Sequence, residues 1–160
     1  MTTFKKYVGA ILEQAAREAQ LDRSTTIEAQ HVLLAIAAQQ EATAAGVLLA
    51  VGLDHRAIRA ALDREFEQSL KAAGVSLAAF DLPRPTSAPE RATNLGASVK
   101  QALERGVHGV RKGKDLRPAH LLFGILQAEV GTVPRALALA GIDRADLVLR
   151  VRQTLSMAPE

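Results

Sequence analysis

The chain has no cysteine and no tryptophan, and aromatic residues make up only 3% of it. Without cysteine there is no disulfide framework and no thiolate metal site, and a reducing cytoplasm is the compartment this composition fits. With four Phe and one Tyr, the chain has few rings for stacking nucleic-acid bases. No apolar run approaches the roughly 18 residues that a membrane span needs, and no secretory leader pattern opens the sequence. The charge is nearly balanced, at +3, so the pI of 9.6 is a weak argument for a polyanionic partner. What is abundant is aliphatic: 48% of the 160 residues are hydrophobic, mostly Ala, Leu, Val and Ile. That length allows one domain with a real core, and that composition favours helix.

A pattern occurs twice. Ile27-Glu28-Ala29-Gln30-His31-Val32-Leu33-Leu34-Ala35-Ile36 returns as Leu116-Arg117-Pro118-Ala119-His120-Leu121-Leu122-Phe123-Gly124-Ile125. The offset, 120 − 31, is 89 residues and continues without a gap through Leu48/Leu137, Gly52/Gly141 and Asp54/Asp143. A repeat of this length predicts two similar helical units in one domain.

Apolar spacing sets the expected elements. A first helix covers Phe4 to Gln20, with Val8, Ile11, Leu12, Ala15, Ala16 and Ala19 on one face and Lys5, Glu13, Arg17 and Glu18 outward. A second runs from about Glu28 to Gln40 with His31, Leu34 and Ala35 inward. A third runs from Ala42 to Val51 and stops at Gly52. Asp54 caps a fourth that carries Ile58, Leu62 and Phe66. Residues 72–93 hold Gly74, Pro83, Pro85 and Pro89 and read as a connecting loop, with Phe80 and Leu82 as possible anchors to the surface. In the second half, Asn94 or Ser98 caps a helix to Val107, and a basic loop follows. Pro118 opens the next helix, which runs to Glu129. Another stops before Gly141, and Asp143 caps the last, with Leu147, Val151 and Leu155 inward. The expectation is all-α: one domain over residues 1–160, eight helices, four per half (about 4–70 and 94–155), related by a pseudo-two-fold.

The polar residues assemble no catalytic set. His31 and His120 recur, but no HExxH pair or carboxylate cluster stands beside them, and His55 and His108 lie in unlike contexts. A structural role near a helix start is the expected one, with no metal or cofactor. Ser24, Thr25, Thr26 and Ser98 have no base and orienting acid at hand. Gly109-Val110-Arg111-Lys112-Gly113-Lys114 lacks the spacing of a phosphate-binding loop, the hydroxyl after the lysine and the preceding strand, which excludes nucleotide hydrolysis by this segment. The stretch 105–117 holds Arg105, Arg111, Lys112, Lys114 and Arg117 against Asp115. A helical nucleic-acid binder using this loop is therefore the alternative functional reading.

The two His-Leu-Leu segments resemble the N-terminal domain of the Clp unfoldases, closest to the ClpC type, in which a four-helix unit is duplicated. Phe4, Glu18-Ala19, His31-Val32-Leu33-Leu34, Leu48 and Gly52 carry the resemblance in the first copy. His120-Leu121-Leu122, Gly131, Val133, Leu137 and Gly141 carry it in the second. The resemblance spans about 4–155 and implies a non-enzymatic, cytoplasmic docking module for proteins or peptides. It further implies a free-standing accessory, adaptor or ligand-sequestering protein of Clp proteolysis, lacking the ATPase ring. Its partners would be a Clp ATPase, its adaptors or cyclic-peptide antibiotics. The family's glutamate before each repeat histidine helps to bind phosphorylated arginine. Gln30 and Ala119 stand there instead, so weak or absent phosphoarginine binding is expected. Phe4, Lys5, Gln30, Ala119 and Arg117 are the candidate ligand-binding positions, with His31, His120, Gly52 and Gly141 as structural repeat positions.

Overall fold

The computed structural model describes residues 3–39, 43–74 and 92–157. Eight α-helices account for most of these residues: α1 (Thr3–Leu21), α2 (Ala29–Ala38), α3 (Ala44–Ala50), α4 (His55–Ala72), α5 (Ala97–Val107), α6 (Pro118–Leu126), α7 (Thr132–Leu139) and α8 (Arg144–Ser156). The all-α expectation is met. Helices α2 and α6 are the central elements. Every residue from His31 to Ile36 is buried in α2, and Leu121, Leu122, Ile125 and Leu126 are buried in α6. Helix α1 packs on α2, α5 on α6, α4 on α7, and α8 on α6. One aliphatic core runs through all of them, from Ile11 and Ala15 in α1 to Leu147 and Val151 in α8. Burial of aliphatic side chains is the main stabilising term here, at about 1.5–3 kcal/mol for each fully buried Leu, Ile or Val.

The stops and starts follow local chemistry. Helix α3 closes in a left-handed turn at Gly52 (φ 81°), where Gly52 N–H donates to Leu49 O (2.9 Å) and Leu53 N–H to Leu48 O (2.9 Å). Helix α7 closes the same way at Gly141 (φ 75°): Gly141 N–H reaches Ala138 O at 3.1 Å and Ile142 N–H reaches Leu137 O at 2.9 Å. Glycine meets the positive φ at no steric cost, and each turn satisfies two otherwise orphaned carbonyls. The Asp54 carboxylate accepts from Ala57 N–H (2.7 Å), and that of Asp143 accepts from Ala145 N–H (3.0 Å) and Asp146 N–H (3.3 Å).

Four expectations need correction. First, Asn94 and Ser98 do not cap α5, whose cap position is Gly96. Asn94 instead belongs to a two-residue parallel bridge, in which β1 (Thr26–Ile27) pairs with β2 (Asn94–Leu95) and ties the two halves together. Such a bridge is too short to leave an alternating pattern. Second, Ser98 works across the halves. Its hydroxyl accepts from Ala29 N–H at 2.8 Å, so it caps α2 rather than its own helix. Third, Glu18, expected on the outer face of α1, is buried at 3% exposure among partners that answer its charge, while Phe66 on α4 is 56% exposed. Fourth, helices α2, α3 and α6 are shorter than their apolar patterns, by up to three residues at an end. The expected anchors Phe80 and Leu82 in the Pro-rich connection lie outside the described residues.

Candidate functional site at the amino end of α2

The turn between α1 and α2 is built from short polar side chains. Ser24 Oγ donates to Thr26 O (2.6 Å), and Thr26 Oγ1 donates to Glu28 Oε1 (2.8 Å). Glu28 turns inward, where Ser98 Oγ donates to its Oε2. A Cβ on Gly96 would lie 1.9 Å from Glu28 Oε1, so a side chain there would displace this carboxylate from its bonds. Glu28, the one acid within the α2 repeat motif, is thus tied into the junction between halves. His31 follows at the third helical position and is 1% exposed. Its Nδ1 accepts from Glu28 N–H at 3.0 Å, and its Nε2 faces Asp22 Oδ2 at 3.1 Å. Both ring nitrogens of His31 are thus engaged within the fold.

Asp22 opens a chain of charge that runs into the core. Its Oδ1 receives Arg59 Nη1 at 2.7 Å; Arg59 Nη2 reaches Glu18 Oε2 at 2.8 Å; Glu18 Oε1 lies 2.6 Å from His55 Nε2. Glu18 is 3% exposed, which requires such partners, since an unpaired buried carboxylate costs several kcal/mol. Burial would raise the Asp22 pKa, but the bond from His31 and the Arg59 charge outweigh it and hold the carboxyl below its ordinary range. Burial opposes the Arg59 charge in the same way, and the two carboxylates raise its pKa nonetheless.

This network forms one wall of a cleft of about 320 Å³ between the amino end of α2, the outer face of α4 and the start of α7. Gln30, Asp63, Phe66 and Thr132 line the rest. Among the described residues, the Gln30 carboxamide and the Asp63 carboxylate have no protein partner. Glu65 differs: Arg135 Nε donates to it from α7 at 2.9 Å, and Ser69 Oγ at 2.7 Å. The cleft thus offers an amide, an acid and an exposed aromatic ring on rigid helices. A peptide backbone could pair with the amide, and an apolar or cationic side chain could lie on the ring.

The equivalent position in the second half is closed differently. His120 Nδ1 accepts from Arg117 N–H at 2.9 Å, matching His31 and Glu28 in the first copy. The Arg117 guanidinium is engaged by the end of α8, donating to Met157 O at 3.0 Å and to Leu155 O. Burial and the Arg117 charge hold the His120 imidazole below the ordinary histidine range. Ala119 is 2% exposed and presents no side chain to a ligand.

The structure brings two of the sequence-nominated binding positions to clefts: Gln30 to the one at the amino end of α2, and Arg117 to a shallower one beside the loop before α6. Phe4 is buried at 8% exposure, Lys5 is exposed on α1, and neither lines the α2 cleft. Asp63, Phe66 and Thr132 are additional lining residues. Their signal was present in part, since Arg59, Asp63 and Phe66 stand at i, i+4 and i+7 along α4 and share a face. Among the described residues, no three His, Asp or Glu side chains cluster so as to hold a metal ion, and no helix is long and apolar enough to cross a membrane.

No curated protein matches the chain in sequence. A family model does match, that of the Clp repeat N-terminal domain, over residues 3–110, which take in α1 to α5. That family is one of substrate- and adaptor-binding domains, related to the N-domains of the Clp unfoldases. With about two thirds of its length under that model, and with the all-α architecture described above, the chain belongs to the Clp repeat N-terminal domain family.

Proposed function

We propose that this protein is a non-enzymatic docking module for peptide segments, serving the Clp proteolysis system as an accessory. The observation that carries this reading is the cleft at the amino end of α2, with Gln30 and Asp63 unpaired and Phe66 exposed on the same wall. Family membership supports a protein partner, and the mixture of apolar ring and polar rim is that of a protein interface. Gln30 offers a neutral amide where the ClpC type carries glutamate. That favours peptide backbone over phosphoarginine. In this role the domain acts as an adaptor, or it sequesters cyclic peptides that otherwise reach an unfoldase.

A pull-down from host lysate tests the accessory role, with the wild-type chain and a Phe66→Ala chain as parallel baits. Phe66 is exposed, so the variant keeps the core intact. The expected result is enrichment of a Clp ATPase, its peptidase or a shared client on the wild-type bait, reduced on the variant. A folded wild-type bait that retains no Clp component and no Clp client contradicts the reading.

A further inference from the structure

The net positive charge of the described residues sits in one half. Residues 92–157 carry ten Lys and Arg against five Asp and Glu, whereas 3–39 and 43–74 together carry eight against eight. Most cations of the second half already have work. Arg105 donates to Gly124 O, Arg117 to the end of α8, Arg135 to Glu65, Arg144 to Leu126 O and Arg150 to Asp146. Arg152 lies 5.5 Å from the centre of the Phe123 ring.

Arg111, Lys112 and Lys114 are different. All three are exposed, and among the described residues none has a protein partner. They stand on the loop between α5 and α6, which is shaped by its own bonds: Val110 N–H to Val107 O (3.1 Å), Asp115 N–H to Lys112 O (2.9 Å) and Leu116 N–H to Gly113 O (3.2 Å). Beside this loop is a shallow cleft of about 380 Å³, to which Val110 and Leu155 contribute apolar surface, Arg111 and Arg117 cations, and Asp115 one carboxylate against them.

We infer that this loop and cleft form a second docking surface, whose occupant is an acidic peptide segment with aliphatic residues between its carboxylates. Charge complementarity with three free cations selects the acid, and Val110 and Leu155 select the aliphatic side chain. A nucleic acid fits less well, because the cleft offers no aromatic face for a base. The inference rests on the docking-module reading and adds the chemistry of one partner, at a surface separate from the α2 cleft.

The test uses the full chain and fluorescence anisotropy. The probes are a labelled peptide of alternating glutamate and leucine, its glutamine–leucine counterpart, and a single-stranded oligonucleotide of matching charge. The variants are Arg111→Ser/Lys112→Ser/Lys114→Ser, whose sites are all exposed, and Phe66→Ala. The acidic peptide is expected to bind, more weakly as salt rises. The triple variant should lose about tenfold in affinity, each exposed charge contact being worth a factor of about two. Phe66→Ala should bind as the wild type does. Equal binding of the glutamine peptide, undiminished binding by the triple variant, tighter binding of the oligonucleotide, or assembly of the chain with itself through this loop would each overturn the inference. Loss of binding in Phe66→Ala alone would move the peptide to the α2 cleft, overturning this surface while leaving the docking module standing.

Discussion

Replacing Arg59 with methionine tests whether the charge chain behind the cleft is a stabilising unit. The side chain is 26% exposed, and its two terminal nitrogens bridge Glu18 and Asp22. Methionine keeps much of the stem and removes both bonds. Glu18, at 4% side-chain exposure, would retain His55 and a long bond from Gln14 Nε2 (3.5 Å), and Asp22 would retain His31. Removing one partner of a buried pair costs about 3–5 kcal/mol. The partial exposure of Arg59 and the remaining His55 contact put Arg59→Met near the low end, about 3 kcal/mol. For a chain of this size that corresponds to a fall in Tm of roughly 6–12 °C. Glu18→Gln removes the charge that Arg59 answers while keeping a hydrogen-bonding group of the same shape. The double variant should therefore be more stable than the two single losses predict, by about 1.5–3 kcal/mol. Paired thermal and urea melts followed by circular dichroism measure all four corners of the cycle. The Asp22 pKa is lowered in the fold, so its contribution is present above the ordinary carboxylate range and is lost as pH falls through the lowered value. The deficit of Arg59→Met should shrink over that same acidic window. A single-variant cost below about 0.5 kcal/mol, or strict additivity in the double variant, would refute the reasoning.

Three further outcomes follow from the geometry. A Cβ on Gly124 would meet Ala102 O at 1.9 Å, so Gly124→Ala must push α5 off α6; the expected cost is about 1–3 kcal/mol or more, read as a lower urea midpoint, and an unchanged midpoint would contradict the close packing. The His120 pKa is lowered in the fold, so its contribution is present above the ordinary histidine range and is lost as pH falls through the lowered value. His120→Gln, which can still accept the Arg117 N–H bond, should show a flatter stability profile between about pH 7 and 5 than the wild type. Asp54→Ala removes the acceptor for Ala57 N–H and should cost about 1 kcal/mol, recovered in large part by Asp54→Ser, with equal melts for all three proteins as the contrary result.

Much of the fold was legible because its determinants are local. Gly52 and Gly141 mark helix ends through a backbone angle, Asp54 and Asp143 mark helix starts through a side-chain bond, and aliphatic spacing marks the buried faces of α1, α2 and α6. The repeat histidines return in the same local pattern, and in each copy Nδ1 accepts the N–H of the residue three positions before it. What could not be read was anything that depends on bringing the two halves together. Ser98 looks like a cap for α5 until the fold sets it against Ala29 N–H, and Gly96 looks like an ordinary loop glycine until the Glu28 carboxylate lies on it. The site was legible in the same proportion. Gln30 was nominated by its place in the motif, but its cleft is completed by Asp63 and Phe66 on α4 and Thr132 on α7, which the fold alone brings beside it. Phe66 stands at helical spacing from the buried Ile58 and Leu62 yet falls at the edge of the buried stripe, an offset that spacing alone does not reveal.

The central claim is that the α2 cleft receives peptide, and an NMR titration tests it most directly. Linear and cyclic peptides would be selected from a library against the isotope-labelled chain, then titrated while backbone amide shifts are followed. Saturable shifts centred on Gln30, Asp63, Phe66 and Thr132 are expected, with binding weakened by Asp63→Asn and by Phe66→Ala. Saturable binding whose shifts leave those four positions unmoved, with both variants binding as the wild type does, would contradict the claim.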